Sequence, residues 1–215
     1  LRGFFTVIAT QPGFTEVKVV PTSQVVGGFG IAQLSPGNPY LFVLNQGEAL
    51  NFETDGEHGS DLTGSTVQAS QKISVISGHE CANVPLGITA CDHMEQQLFP
   101  LESWSTEYFA DAFKARSGGQ VDIYRVIAGD TDVTVSTTPP LPGYESFKLQ
   151  KGSWIQFASA NSFQIKSDGP ILVGHYLTGA NYPGAVDRPE CEFSAVGKPE
   201  PIGDPAFTLS APVKR

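Results

Sequence analysis

Apolar and polar residues alternate in short runs along most of the chain, and Gly, Pro, Asn and Asp separate the runs. In Thr15–Val20, Val17 and Val19 alternate with Glu16 and Lys18, the period of a strand with one wet face. Phe5–Ala9 precedes it across a Gln-Pro-Gly turn, so the two read as a hairpin. Tyr40–Leu44 and Ala49–Phe52 flank Asn45-Gln-Gly47, and Ser65–Ala69 and Lys72–Ser77 follow a polar loop. The order then returns. Val121–Ala128 and Asp132–Val135 resemble the first hairpin, with TVIAT and TEVKV answered by RVIAG and TDVTV. Leu-x-x-Gly-x-x-aliphatic-x-Phe occurs within Phe42–Phe52 and again within Phe147–Phe157. Ser162–Lys166 and Pro170–Val173 answer Ser65–Ala69 and Lys72–Val75.

A unit of about 100 residues is too long for a solenoid repeat and fits a duplicated β-sandwich. The expected fold is all-β: two tandem, sequence-related β-sandwich lobes joined by a disulfide-stapled irregular linker. The first repeat is expected over residues 1–90, the linker over 91–120 and the second repeat over 121–215. Within the linker, Cys91–Leu98 and Tyr108–Phe113 are expected to form short helical turns, the first capped by Asp92. The Pro- and Gly-rich tail from Gly179 reads as a long loop before a last strand at Ala206–Leu209.

Composition narrows the function. With 40% hydrophobic and 16% charged residues, the chain is that of a folded protein. Its formal net charge of −9 repels nucleic acid and anionic headgroups, and the cationic residues are scattered. No apolar run is long enough to span a bilayer, so neither nucleic-acid binding nor membrane insertion is expected. The sequence opens on Leu1 without a Met or an apolar leader, and is expected to be a piece of a larger or processed protein.

Candidate chemistry centres on the near-palindrome His79-Glu-Cys81 … Cys91-Asp-His93. One reading is a Cys81–Cys91 disulfide across a turn-rich loop, flanked by two histidines. Another is a tetrahedral zinc set of His79, Cys81, Cys91 and His93. Unpaired thiols are a third. The disulfide is favoured because His-x-Cys is an uncommon zinc knuckle and an oxidising compartment pairs the thiols first. Cys191 is left over. Nucleophilic catalysis has little support: Gly-x-Ser-x-Gly is absent, Ser77 lies near His79 without an elbow, and His175 has no second histidine nearby. Gly27-Gly-Phe-Gly30 lacks the Lys-Ser/Thr of a phosphate loop and reads as a flexible turn. Trp104 and Tyr108, in the irregular linker, are the expected partner-contacting aromatics.

The ordered set DLTGSTVQASQKISVISGHECANVP, CDHMEQQLFPLESW, RSGGQVDIYRVIAGDTDVTV, GPILVGHY and GDPAFTLSAP resembles the N-terminal domain of IgG Fc-binding proteins, which occur in mucus-associated animal proteins and in bacterial secreted or surface proteins. The resemblance covers nearly the whole chain. It implies an extracellular, β-rich binding module without catalysis or cofactor. The expected function is therefore a protein-binding or adhesion module of a larger secreted or cell-surface protein, taking a protein or glycoprotein ligand from matrix, mucus or immunoglobulin. The alternatives are a zinc-stabilised domain or metal-dependent enzyme built on the four-residue set, and a structural spacer without its own ligand.

Overall fold

Alternation along the chain becomes alternation of burial in the strands. In β2 (Phe14–Val20), Thr15, Val17 and Val19 are buried while Phe14, Glu16 and Lys18 are exposed. β10 (Val133–Thr138) repeats the pattern with Val133, Val135 and Thr137 inside. The computed structural model describes residues 1–114, 120–183 and 205–213, and over these the protein is all-β, with antiparallel sheets and one 3₁₀ turn at Leu101–Ser103. It divides into two compact units, one of Leu1–Cys81 with Glu95–Phe99, the other of Ala82–Met94 with the residues from Pro100 onward.

The first unit is built from β1 (Gly3–Ala9), β2, β3 (Tyr40–Asn45), β4 (Ala49–Glu53), β5 (Thr66–Ala69) and β6 (Ile73–Ala82). β7 (Asp92–Gln97) completes a sheet of order β4-β1-β6-β7, and the second sheet runs β3-β2-β5. The expected hairpin of β1 and β2 is therefore not formed: β1 pairs with β4 and β6, β2 pairs with β3 and β5, and the Gln11–Gly13 turn carries the chain from one sheet to the other. Their inward faces meet in a core of Phe5, Val7, Val17, Val19, Leu44 and Phe52. Phe5 and Phe52 stack at 4.8 Å. Each such side chain contributes about 1.5–3 kcal/mol by leaving water.

The second unit contains β8 (Ser105–Ala110), β9 (Asp122–Ala128), β10, β11 (Ser146–Leu149), β12 (Trp154–Ser159), β13 (Phe163–Leu177) and β14 (Ala206–Leu209). Its sheet runs β11-β10-β13-β9-β12, and β8 and β14 both pair with β13. β13 serves two roles: residues 164–167 pair with β10 and residues 171–176 pair with β9. Its register slips between Lys166 and Ile171. Tyr108, Tyr124, Val126, Phe157, Ile165 and Ile171 lie in the core.

Strand for strand, the pairing order is the same in the two units. Phe5 faces Phe52 and Val7 faces Leu50. Tyr124 faces Phe157 and Val126 faces Ile155. Val7 faces Val75 as Val126 faces Val173. Val19 faces Val67 as Thr137 faces Ile165. The Leu98 amide donates to the Val75 carbonyl (2.8 Å) as the Ser210 amide donates to Val173 (2.9 Å). β5 and β6 thus correspond to the two halves of β13, β7 corresponds to β14, and β8 has no counterpart in the first unit.

The helical turns expected at Cys91–Leu98 and Tyr108–Phe113 are not formed; β7 and β8 occupy those stretches. Met94 is buried between exposed His93 and Glu95, and Ser105, Tyr108 and Ala110 are the buried positions of β8. Pairing with β6 and β13 supplies backbone bonds along one edge of stretches too short to sustain a helix alone. Cys191 lies outside the described residues.

Candidate functional site

In β3 the apolar residues do not alternate with polar ones: Tyr40-Leu-Phe-Val-Leu44 is apolar throughout. β2 decides which go inside. Lys18 faces Leu41 and Glu16 faces Val43 across the ladder, so both apolar side chains share the outer face with charges. Leu41 is 78% exposed, Val43 63% and Phe14, on the same face of β2, 63%. At the corresponding places of the second unit the register puts Asp132, Ser146 and Lys148. The apolar outer face is therefore particular to the first unit. Exposed large apolar groups on a sheet face are the kind of surface that proteins use for contact.

A second exposed aromatic lies at the turn Gly28–Ile31, closed by reciprocal amide–carbonyl bonds of 2.9 and 3.0 Å. Phe29 is its tip, fully exposed and at φ +47°, followed by Gly30 at φ +88°. This is the left-handed region at both central turn positions, which Asn-Gly adopts freely and a bulky side chain does not. Holding Phe there costs about 1–2 kcal/mol.

Among the aromatics singled out from sequence, Tyr108 is not a surface group. It is 1% exposed, its hydroxyl donates to the Ile171 carbonyl (2.7 Å) and accepts from the Ser105 amide (2.9 Å). Burial holds its phenol above the ordinary tyrosine range. The expectation of a partner-contacting Tyr108 is corrected: it shares the inward face of β8 with Ala110, alternating with exposed Phe109, and lies in the core. Trp104 is half-exposed and closes the 3₁₀ turn, its amide donating to Leu101 (3.0 Å).

Cys81 and Cys91 are disulfide-bonded, which takes both thiolates out of the alternative zinc set with His79 and His93. No group of three or more His, Cys, Asp or Glu among the described residues is arranged to hold a metal ion. His93 is exposed, with its amide on the Asp92 carboxylate (2.7 Å). His79 is half-buried, and its Nδ1 accepts the Cys81 amide (3.1 Å). Burial holds the His79 imidazole below its ordinary pKa of about 6.5. A histidine with a lowered folded-state pKa contributes stability that is complete above about 6.5 and lost as the pH falls through the folded value. His79→Gln is thus expected to lose less stability than the parent between about pH 7 and about pH 5 in urea titrations.

One site that the sequence reading did not assemble is a buried pair in the second unit. His175 Nε2 lies 3.0 Å from Asp122 Oδ2, and the same oxygen accepts the Phe113 amide at 2.7 Å. Phe113 and Tyr124 lie nearly parallel to the imidazole, with centroids 3.9 and 4.5 Å away. The signal was the phase of β9: Asp122 falls in step with Tyr124 and Val126, and a carboxylate on a core-facing position needs a partner. Elsewhere on β9, the Arg125 guanidinium sits 4.1 Å over Trp154 and hydrogen-bonds Gln156 (2.8 Å).

The chain is thus all-β, with apolar side chains on the outward face of one sheet. The chain belongs to the family described as IgGFc binding protein, whose model matches residues 2–215. It is also similar to the human protein named IgGFc-binding protein, 33% identical over 119 residues, which is 55% of this chain and 2% of that protein. The chain therefore spans a small part of the length of that relative. No solved structure matches it. Among the described residues no helix is long and apolar enough to cross a membrane.

Proposed function

We propose that this chain is an extracellular protein-binding or adhesion module of a larger secreted or cell-surface protein, acting without catalysis or cofactor. The observation that carries the reading is the apolar outer face of Phe14, Leu41 and Val43 in a chain whose family is named for protein binding. The strained Phe29 tip adds a second exposed aromatic. His175 and Asp122, an acid–base pair in the second unit, are buried at 6% and 3% side-chain exposure between the Phe113 and Tyr124 rings, as in a structural pair. Residues 1–90 and 121–215 are read as two copies of one sandwich repeat around a connecting stretch, 91–120. The shared pairing order of β1–β6 with β9–β13 supports the two copies. Trp104 remains a candidate contact at the edge of this stretch.

Immunoglobulin Fc is the first ligand to test, followed by mucin glycoprotein and matrix protein, each immobilised and probed with the 215-residue chain. Leu41→Asp/Val43→Lys is expected to weaken capture by about tenfold or more while leaving the unfolding midpoint unchanged, because both side chains already face water. Phe29→Asn is expected to weaken capture as well, and to raise stability by about 1 kcal/mol through relief of the turn. Capture unaffected by either variant would remove both features from the binding surface. Failure of all three ligand classes to bind would favour the spacer reading.

A further inference from the structure

Among the described residues the first unit lacks the strand that β8 supplies in the second. In the second unit β8 lies along residues 163–166 of β13, with Ile165 facing Tyr108 and Lys166 facing Glu107. The counterparts of Ile165 and Lys166 are Val67 and Gln68 of β5, since Ile165 faces Thr137 as Val67 faces Val19 and each precedes the same core strand. β5 has β2 as its strand neighbour and ends its sheet. What β8 covers in one unit is half-open in the other. Ile165 and Ile171 are wholly buried beneath Tyr108, while their counterparts Val67 and Ile73 are only partly buried.

The edge is also chemically ready to pair. The Ser70 amide donates to the Glu16 carbonyl (2.9 Å), so Ser70 points its backbone groups toward β2. In an antiparallel ladder successive residues alternate, so Gln68 also points toward β2, and Val67 and Ala69 direct their N–H and C=O outward. Thr66, Gln68 and Ala69 are exposed, and β5 carries neither a charge nor a proline, two of the devices that block strand addition at natural edges.

We propose that the free edge of β5 takes up an extended segment of a protein partner as an added antiparallel strand, with an aromatic side chain opposite Val67. This rests on the reading of the chain as a protein-binding module and names a site and a partner chemistry for it. Backbone bonds to Val67 and Ala69 supply the attraction, and the half-open apolar ground between Val67 and Ile73 selects an aromatic at one alternate position, as Tyr108 fills it in the second unit. The apolar outer face of Leu41 and Val43 belongs to the same three-stranded sheet, so one partner segment adding to β5 extends that sheet.

The test uses the whole chain and a peptide of its own residues 103–112, which contains β8. At about 1 mM peptide, amide exchange at Val67 and Ala69 is expected to slow by about tenfold or more, with no comparable change along β3. The same peptide N-methylated at its tyrosine is expected to give no protection, and this control leaves the protein itself unaltered. No protection at Val67 and Ala69, or equal protection from the N-methylated peptide, overturns the proposal. Protection of these amides in the free chain that grows with protein concentration also overturns it, because a second copy then occupies the edge. Ligand capture is read separately on the parent chain. If capture is intact and the peptide gives no protection, only the strand-addition site falls; if nothing is captured but the peptide protects β5, the edge is competent and the ligand classes were wrong.

Discussion

Tyr108→Ala is expected to cost about 3–5 kcal/mol of stability in the second unit, the range for deleting a fully buried aromatic side chain. The ring lies in the core with Ile165 and Ile171, and its hydroxyl joins two backbone groups 66 positions apart, the Ser105 amide and the Ile171 carbonyl. Truncation leaves a cavity and two buried backbone groups without a partner. Tyr108→Phe isolates the second part and is expected to cost about 1–3 kcal/mol. The contrast is Tyr124→Phe. That hydroxyl is buried without a hydrogen-bond partner among the described residues, so its removal is expected to be neutral or stabilising. Chemical unfolding followed by tyrosine and tryptophan fluorescence measures all three. A Tyr108→Ala protein as stable as the parent would mean that β8 does not seal the core as described.

Asp122→Ala is expected to be comparably severe, at about 3–5 kcal/mol, because it breaks a buried pair from one side. The carboxylate is 3% exposed and its Oδ2 serves both the His175 ring and the Phe113 amide. Without it both are left against Phe113 and Tyr124 rings that offer no replacement acceptor. Asp122→Asn keeps one acceptor oxygen and is expected to lose about 1–2 kcal/mol. In the first unit the same register places hold Gly3 and Ser77, with the Ser77 hydroxyl on the Phe4 carbonyl (3.1 Å). The pair is thus a property of the second unit, and the loss is expected to appear in its unfolding transition. An Asp122→Ala chain with parental stability and an exchange-labile His175 ring proton would show that the pair is solvated.

Several outcomes separate local from tertiary information. Sequence alternation placed Val17 and Val19 inside β2 correctly, because Glu16 and Lys18 leave one choice of face. It was silent for β3, where all of Tyr40–Leu44 is apolar, and the exposure of Leu41 and Val43 follows from pairing with β2. The short acidic stretch around Met94 and the one around Tyr108 contained helix-compatible residues, and only the presence of adjoining strands turned them into β7 and β8. The equivalence of β2 and β10 was misplaced by a pair of residues. Thr15–Val19 aligns with Thr131–Val135 by residue type, yet Thr15 faces Leu44 as Val133 faces Leu149. A slip of two leaves every side chain on its own face, so the hydrophobic pattern cannot detect it.

By itself the sequence determined the all-β class, the family and the places of the turns between strands, because turn chemistry and period-two alternation act over a few neighbouring residues. The Cys81–Cys91 disulfide was the favoured sequence reading, whereas only the tertiary structure decided that Asp122 meets His175, that Tyr108 is core and that β5, paired with β2, ends its sheet among the described residues. Each of these depends on which distant strand arrives alongside, and that choice is made by the packing of whole sheets rather than by the residues nearest in the chain.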